Sequence, residues 1–389
     1  MKKIIPIIII IVISLDSCHN KQGNIINKER NKHRNNYKIE KIMIKEFILD
    51  DETSYMIDYF QFIDDKKETL AFINSYNNSL YFFNYTNFKF LKKIKYDKEG
   101  QNGVSKTQAF LYLNDDSIFT YSYDSQTLYL TNNNSVVLDK YKLYEEPELM
   151  SQLIYPSPYI STSTPLRKRG GQLICMGFIS GETRFENKKN RPVGCFIDIE
   201  NKTITHSINY PTQYTDYNWG GGFTYRMPYY DINNNDELIV SFSADHNIQV
   251  HSLKNEVTSF YAGSNKIDKI KSFSSAKDMP INEDNAWFWY MTNPSYQNII
   301  YDKYKNQYYR IARLPKQDFT LSERGNMKPI IIIILDSNFK YIGEVELDMN
   351  IRYSLNNCFA TKEGLNIQVH TNDDDKLTFY VYSFTKDEN

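Results

Sequence analysis

The 389-residue sequence predicts an all-β fold, a six-bladed β-propeller whose ring is closed by an N-terminal strand. Three observations carry that expectation. After residue 38, helical periodicity is nearly absent, and short runs of Tyr, Phe, Ile, Val and Leu alternate with clusters of Asn, Asp, Gly and Lys. Leu70–Tyr96 (LAFINSYNNSLYFFNYTNFKFLKKIKY) aligns with Ser117–Leu143 (SIFTYSYDSQTLYLTNNNSVVLDKYKL) at a spacing of 47 residues, the length of a four-stranded blade with its turns. The last repeat stops one strand short, and a lone strand ahead of the first repeat can supply it.

The elements follow in order. Lys2 and Lys3 precede an apolar run from Ile4 to Leu15, which suits a signal-peptide core and is too short to span a bilayer. Leu15-Asp16-Ser17-Cys18 then resembles the lipobox of bacterial lipoproteins, although Asp16 departs from its usual small or apolar residue. The resemblance implies that residues 1–17 are a signal peptide and that Cys18 carries a membrane-anchoring lipid. Residues 18–38 are polar and basic and read as a flexible tether; residues 39–389 read as a single propeller domain.

With strands lettered A to D from the axis outward, five full sets are legible. The third to fifth carry QLICMGFI with VGCFIDIENKTITHSINY, then ELIVSFSADHNIQVHSLKNEVTSFY, then YQNIIYDKYKNQYYRIARL with PIIIIILDSNFKYIGEVEL. The last set has NNCFAT, GLNIQVH and LTFYVYSF as A, B and C. Ile39–Leu49 (IEKIMIKEFIL) beside the last C strand closes the ring and removes an exposed edge. A seventh blade is the alternative, if Asp278–Thr292 with its WFWY core is a blade fragment.

The LAFINSYNNSLYFF blade, the KYDKEGQNGV loop after it, and NIIYDKYKNQYYRIARL with IIIILDSNFKYIGE resemble the TolB-like six-bladed propeller lipoproteins of the Gram-negative envelope, in a branch known as a domain of unknown function. The resemblance covers nearly all of the mature chain. It implies a propeller on a lipid anchor and carries over no catalytic residues.

In a propeller the A–B and C–D turns share one face; the B–C turns and D–A connections share the other. The closing strand starts on the A–B face, so a tether from Cys18 predicts that the membrane lies there and that the opposite face binds a partner. Long loops mark that face: Ile179–Pro192 and Pro315–Lys328 between B and C, Lys98–Val104, Asn209–Arg226 and Ala262 to Pro294 between D and A.

Candidate ligand-binding residues sit in these loops. Gln101 and Asn102 lie in KEGQNGV, whose amides suit an anion or a carbonyl, or whose glycines simply form a turn. Tyr217 and Trp219, beside Gly220, Gly221 and Gly222, suit stacking on a sugar or peptide, or a place in the core. Arg184 runs with Lys188, Lys189 and Arg191, Arg324 with Lys316 and Lys328, and Arg226 points toward the channel mouth; together they favour carboxylates or sulfates, or form a solvated rim.

Other chemistry is thinly represented. Lys and Arg total 46 against 47 Asp and Glu, so no net field attracts nucleic acid, and none is expected as a partner. Cys175, Cys195 and Cys358 form no disulfide framework; Cys175 and Cys195 fall nearly opposite on adjacent strands and read as buried free thiols. Asp231-Ile-Asn233-Asn-Asn235 begins like a calcium loop, but Asp236 replaces the turn glycine and Phe242 the bidentate glutamate, so it reads as a hairpin. His19, His33, His206, His246, His251 and His370 show no ligand spacing, and no G-x-S-x-G, P-loop or H-E-x-x-H occurs. No cofactor or metal is called for.

The functional expectation is a monomeric, non-catalytic, lipid-anchored envelope propeller that binds a glycan, peptide or protein through its membrane-distal face. A metal-assisted lactonase or sugar hydrolase with its site at the channel mouth is the alternative. His19-Asn20-Lys21-Gln22 after the cysteine lacks acidic residues, which favours an outer-membrane anchor facing the periplasm over the cell surface.

Overall fold

The computed structural model describes residues 23–32, 37–57, 59–63, 68–144, 156–178, 191–220, 224–273, 282–323 and 327–386. Strand β1 (Asn24–Ile26) precedes the closing strand β2 (Tyr37–Ile48). Blade 1 is β3 (Phe60–Ile63), β4 (Thr69–Asn74), β5 (Ser79–Asn84) and β6 (Phe90–Lys95); blade 2 is β7 (Ala109–Asn114), β8 (Ser117–Ser122), β9 (Thr127–Thr131) and β10 (Val137–Lys142). In blade 3, β11 (Ser157–Pro158) and β12 (Arg167–Arg169) both pair with β13 (Gln172–Phe178), followed by β14 (Pro192–Asp198) and β15 (Ile204–Asn209). A one-turn helix, α1 (Gln213–Asp216), leads to blade 4, made of β16 (Pro228–Ile232), β17 (Leu238–Phe242), β18 (Asn247–His251) and β19 (Val257–Tyr261). Strand β20 (Lys269–Lys271) and helix α2 (Glu283–Thr292) precede blade 5, with β21 (Ser295–Asp302), β22 (Gln307–Arg313), β23 (Ile330–Leu335) and β24 (Tyr341–Glu346). Blade 6 is β25 (Tyr353–Thr361), β26 (Gly364–Val369) and β27 (Lys376–Lys386), completed by β2.

The burial of each strand explains its composition. Inner strands are sandwiched between neighbouring blades and bury both faces, so β4 (TLAFIN) and β23 (IIIIIL) are buried at every position. Outer strands bury one face, and β15 (ITHSIN) alternates half-buried with exposed residues. Hairpins turn on residues with left-handed backbone, among them Asn78, Asp236, Asn255 and Asn306. Asp236 therefore belongs to a turn, as its place in the calcium-like stretch predicts.

Ring closure is as expected: β2 pairs antiparallel with β27 from Tyr37 opposite Lys386 to Ile48 opposite Lys376. The seventh-blade alternative is overturned, because WFWY lies in α2. Asn282 caps that helix by accepting the Asp284 amide, and Glu283 and Asp284 fill its first turn. Cys175 and Cys195 are directly opposite on β13 and β14, both buried and free.

The expected tether is structured in part. Asn24–Ile26 pairs with β20, and Asn27 donates its carboxamide to the carbonyls of Ser264 and Ile267, both at 2.9 Å. Polar composition hid this strand, since only Ile25 packs on the core while asparagine and backbone supply the attachment.

Candidate functional site

Three regions compete for the site, and two lie on the face formed by B–C turns and D–A connections. Over blades 4 and 5 that face is filled. Trp219 is buried, donates Nε1 to the Gln213 carbonyl at 3.0 Å and stacks on Tyr225, with ring centres 6.0 Å apart. Arg226 is buried too, its Nε and Nη2 donating to the Gly220 carbonyl at 2.9 and 2.6 Å, so it braces its own loop and does not point into the channel. Tyr217 lies half-buried against Gly23, where any Cβ would sit 2.4 Å from the ring.

The same half consumes its cations. Lys328 donates Nζ to the carbonyls of Tyr290 and Asn293 at the end of α2, at 2.8 and 2.6 Å. Burial, with the Arg313 charge adding to it, pulls its ammonium well below the usual lysine range. Arg310 is fully buried and donates to Ser241 Oγ and to the carbonyls of His246, Ala262, Phe242 and Asp245. Its guanidinium lies 3.9 Å from the Tyr296 ring centre. Next to it, His246 joins Nδ1 to the Tyr296 hydroxyl at 2.7 Å and Nε2 to the Ile25 carbonyl at 3.0 Å. The carbonyl can only accept, so Nε2 carries the proton and Nδ1 accepts from tyrosine.

The central channel opens on the other face. Its cavity of about 230 Å³ is lined by the ends of the inner strands and by Asn234, Lys303 and Tyr304 of A–B turns. Asp231 is its one carboxylate among the described lining residues. Arg167 donates Nε and Nη2 to Asp231 Oδ1, each at 3.2 Å, while the amides of Ile232 and Tyr301 donate to the carboxylate at 2.9 Å. These bonds clamp blades 3, 4 and 5 together. Gln61 pairs both ends of its carboxamide with the Tyr112 backbone, joining blade 1 to blade 2. Among the described residues no group of three or more His, Cys, Asp and Glu side chains could hold a metal ion.

A plug closes the channel's far end. Between β11 and β12 the chain leaves β13, and Tyr159–Thr164 folds inward on a Ser161–Thr164 bridge. Thr162 Oγ1 accepts the Phe60 amide at 2.8 Å and donates to Asn357 Oδ1 at 3.0 Å. Asn357 in turn donates Nδ2 to Ile57 O and Gln368 Oε1, each at 2.6 Å.

The plug also walls the third region, a cavity of about 420 Å³ set off the axis between blades 1, 2 and 3, on the same face as β1. Its floor is Ile57, Ile73, Tyr121 and Ile160, all buried. Its rim is exposed: Met56 (60%), Tyr76 (76%), Tyr123 (45%) and Tyr159 (39%). Tyr121 is satisfied by Gln126 Oε1 at 2.9 Å, and Gln108 Oε1 accepts the Tyr123 amide at 2.7 Å. Gln108 Nε2 and the hydroxyls of Ser75 and Tyr76 have no partner among the described residues, and no charged side chain stands in the described lining.

None of the sequence candidates among the described residues lines this cavity. Asn102 accepts the Val137 amide at 3.1 Å, which ties its loop to β10, and Gln101 beside it is exposed. Gly100 has φ of 88°, and the amides of Gly103 and Val104 bond back to Gly100 and Asp97, so KEGQNGV is a self-bonded turn. Arg184 and Arg324 lie outside the described residues, as does Cys18.

The architecture defines a six-bladed β-propeller closed by an N-terminal strand, with a plugged channel and an apolar-floored pocket beside it. The chain belongs to the family described as domain of unknown function DUF4221, whose sequence profile matches residues 36–346. A crystal structure of a member of that family from Bacteroides vulgatus superposes with a TM-score of 0.71 at 21% identity, covering 90% of this chain and 99% of the other. A protein described as exported, from Bacteroides fragilis, superposes with a TM-score of 0.53 at 11% identity, covering 90% and 96%. No curated protein matches. Among the described residues no helix is long and apolar enough to cross a membrane.

Proposed function

We propose that the protein is an exported, lipid-anchored envelope propeller that binds a ligand without transforming it, and that the ligand enters the cavity between blades 1, 2 and 3. The observation that carries this reading is that cavity, where an apolar floor, an exposed tyrosine rim and unpartnered donors converge. The Lys2-Lys3 and Ile4–Leu15 segment, the LDSC stretch and the TolB-like resemblance support the anchor, and a protein of similar fold is described as exported.

The docked N-terminus revises the expected orientation. Gly23 is fixed to Ser272 by reciprocal bonds of 2.9 Å on the B–C and D–A face, and Cys18 stands only five positions before it, with four residues between. An extended chain of that length spans at most ~18 Å. In this reading a lipid on Cys18 leaves from the face that bears the pocket, with the membrane on that side and the channel on the distal one.

Two measurements test the reading. Mass spectrometry of the membrane fraction should find Cys18 acylated, with Cys18→Ser releasing the protein; an unmodified, fully soluble wild-type chain overturns the anchor. A photo-crosslinking residue at Ser75 should capture a discrete adduct in intact envelopes that the same residue at Asn87, on the opposite face, does not. Equal labelling at both positions overturns the pocket.

A further inference from the structure

We infer that this cavity selects an uncharged ligand with a mainly apolar body and hydrogen-bond acceptors at its outer end. The inference rests on the reading of the cavity as the binding site and names what that site takes. The floor decides the body. Ile57, Ile73 and Ile160 offer no hydrogen bonds, so the hydroxyls of a sugar seated there would be desolvated without partners, whereas an aliphatic or aromatic group gains from burial.

The charge follows from the walls. With no Lys, Arg, Asp or Glu in the described lining, an ionised group on the ligand would leave water for a place without a counter-charge. The upper wall decides the outer end. Gln108 Oε1 is consumed by the Tyr123 amide, which orients the carboxamide and leaves Nε2 to donate; Tyr76 and Ser75 add hydroxyls beside it. An acceptor on the ligand meets these donors just where the pocket opens between Tyr76 and Tyr123. The position of β1 on the same face agrees, since a pocket turned toward a membrane draws on solutes that partition there.

The mature chain carrying Cys18→Ser is titrated with N-phenyl-1-naphthylamine, which is neutral and apolar, with its sulfonated analogue 8-anilinonaphthalene-1-sulfonate, and with maltose. The neutral probe should bind at one site, the anionic analogue at least tenfold more weakly, and maltose should displace neither. Tyr76→Ala with Tyr123→Ala should weaken the neutral probe at least tenfold, Gln108→Leu should weaken probes bearing an acceptor more than those without one, and Asn87→Ala should change nothing. Displacement by maltose, or equal affinity for the anionic analogue, overturns the ligand class while the Ser75 adduct still upholds the site. Unchanged probe affinity in the rim variant, with the fold intact by circular dichroism, overturns the assignment to this cavity.

Discussion

One face of this propeller has two halves built on opposite principles. Over blades 4 and 5 the connections are long, and their aromatic and basic side chains are spent on the protein itself: Trp219 on Gln213 and Tyr225, Arg226 on Gly220, Lys328 on the end of α2. Over blades 1 and 2 the B–C turns are tight hairpins at Asn74–Asn78 and Tyr123–Gln126, and an open cavity with unpartnered donors is left between them. Among the described residues, the long D–A connections cover the filled half, and the recess lies beside the short B–C turns of blades 1 and 2. Changes in the filled half should cost stability, whereas changes at the recess should cost binding.

The largest effect is expected at Arg310. Arg310→Met keeps the buried stem but removes the side-chain donor from the Ala262 and Asp245 carbonyls. It also removes one of the bonds made by the His246 and Phe242 carbonyls and by Ser241 Oγ, which keep the Ala262 amide, the Asp245 amide and the Gln297 carbonyl, respectively. Buried groups that lose bonds without water to replace them cost free energy. A loss of about 3–4 kcal/mol is expected from the urea unfolding midpoint. A loss under about 1 kcal/mol would break the contrast between the halves.

His246 gives the next effect and makes it depend on pH. Burial holds its imidazole at about 4, and the nearby Arg310 charge disfavours protonation further. An unfolded histidine titrates near 6.5, so between about 6.5 and 4 the unfolded chain binds the extra proton and stability falls as pH falls. The contribution, on the order of 2–3 kcal/mol, is complete above pH 6.5 and lost through pH 4. His251 is held at about 4 by burial as well and titrates over the same window. Unfolding midpoints from pH 7 to 4 should therefore flatten stepwise in His246→Gln and in His246→Gln with His251→Gln; an unchanged slope in the double variant counts against the buried-neutral assignment.

A smaller and more local effect is expected at the N-terminal strand. Asn27→Ala removes two buried bonds to Ser264 and Ile267, a loss of about 1–2 kcal/mol. Because β1 pairs only with β20, the loss should appear as faster amide exchange in Asn24–Ile26 and Lys269–Lys271, with the blades unaffected. Uniform acceleration across all six blades would mean that β1 is part of the ring's cooperative core.

The fold was legible because its information is periodic. Strands such as β4 and β23 announce double burial by unbroken apolar runs, and the paired repeats fix the blade length. Two elements escaped. WFWY has strand-forming side chains, and the signal for a helix was only Asn282-Glu283-Asp284 ahead of it. The Ser161–Thr164 plug reads as a polar turn, and its role depends on Asn357, which is distant in sequence. The recess was not legible at all, since Tyr76 and Tyr123 sit in ordinary hairpins and become neighbours of Tyr159 only when three blades meet.

The smallest expected effect sharpens the contrast most. Tyr76 is 76% exposed and holds the fold only through its backbone amide, which donates to Asn74 Oδ1 and would do so from any residue. Tyr76→Ala should therefore move the unfolding midpoint by less than about 0.5 kcal/mol, the range of an ordinary surface change. An exposed aromatic that contributes nothing to folding, on the rim of an apolar cavity, is surface the fold does not require. If Tyr76→Ala instead costs as much as Asn27→Ala, the rim is structural, the recess is a packing defect between blades, and the two halves differ in completeness and not in purpose.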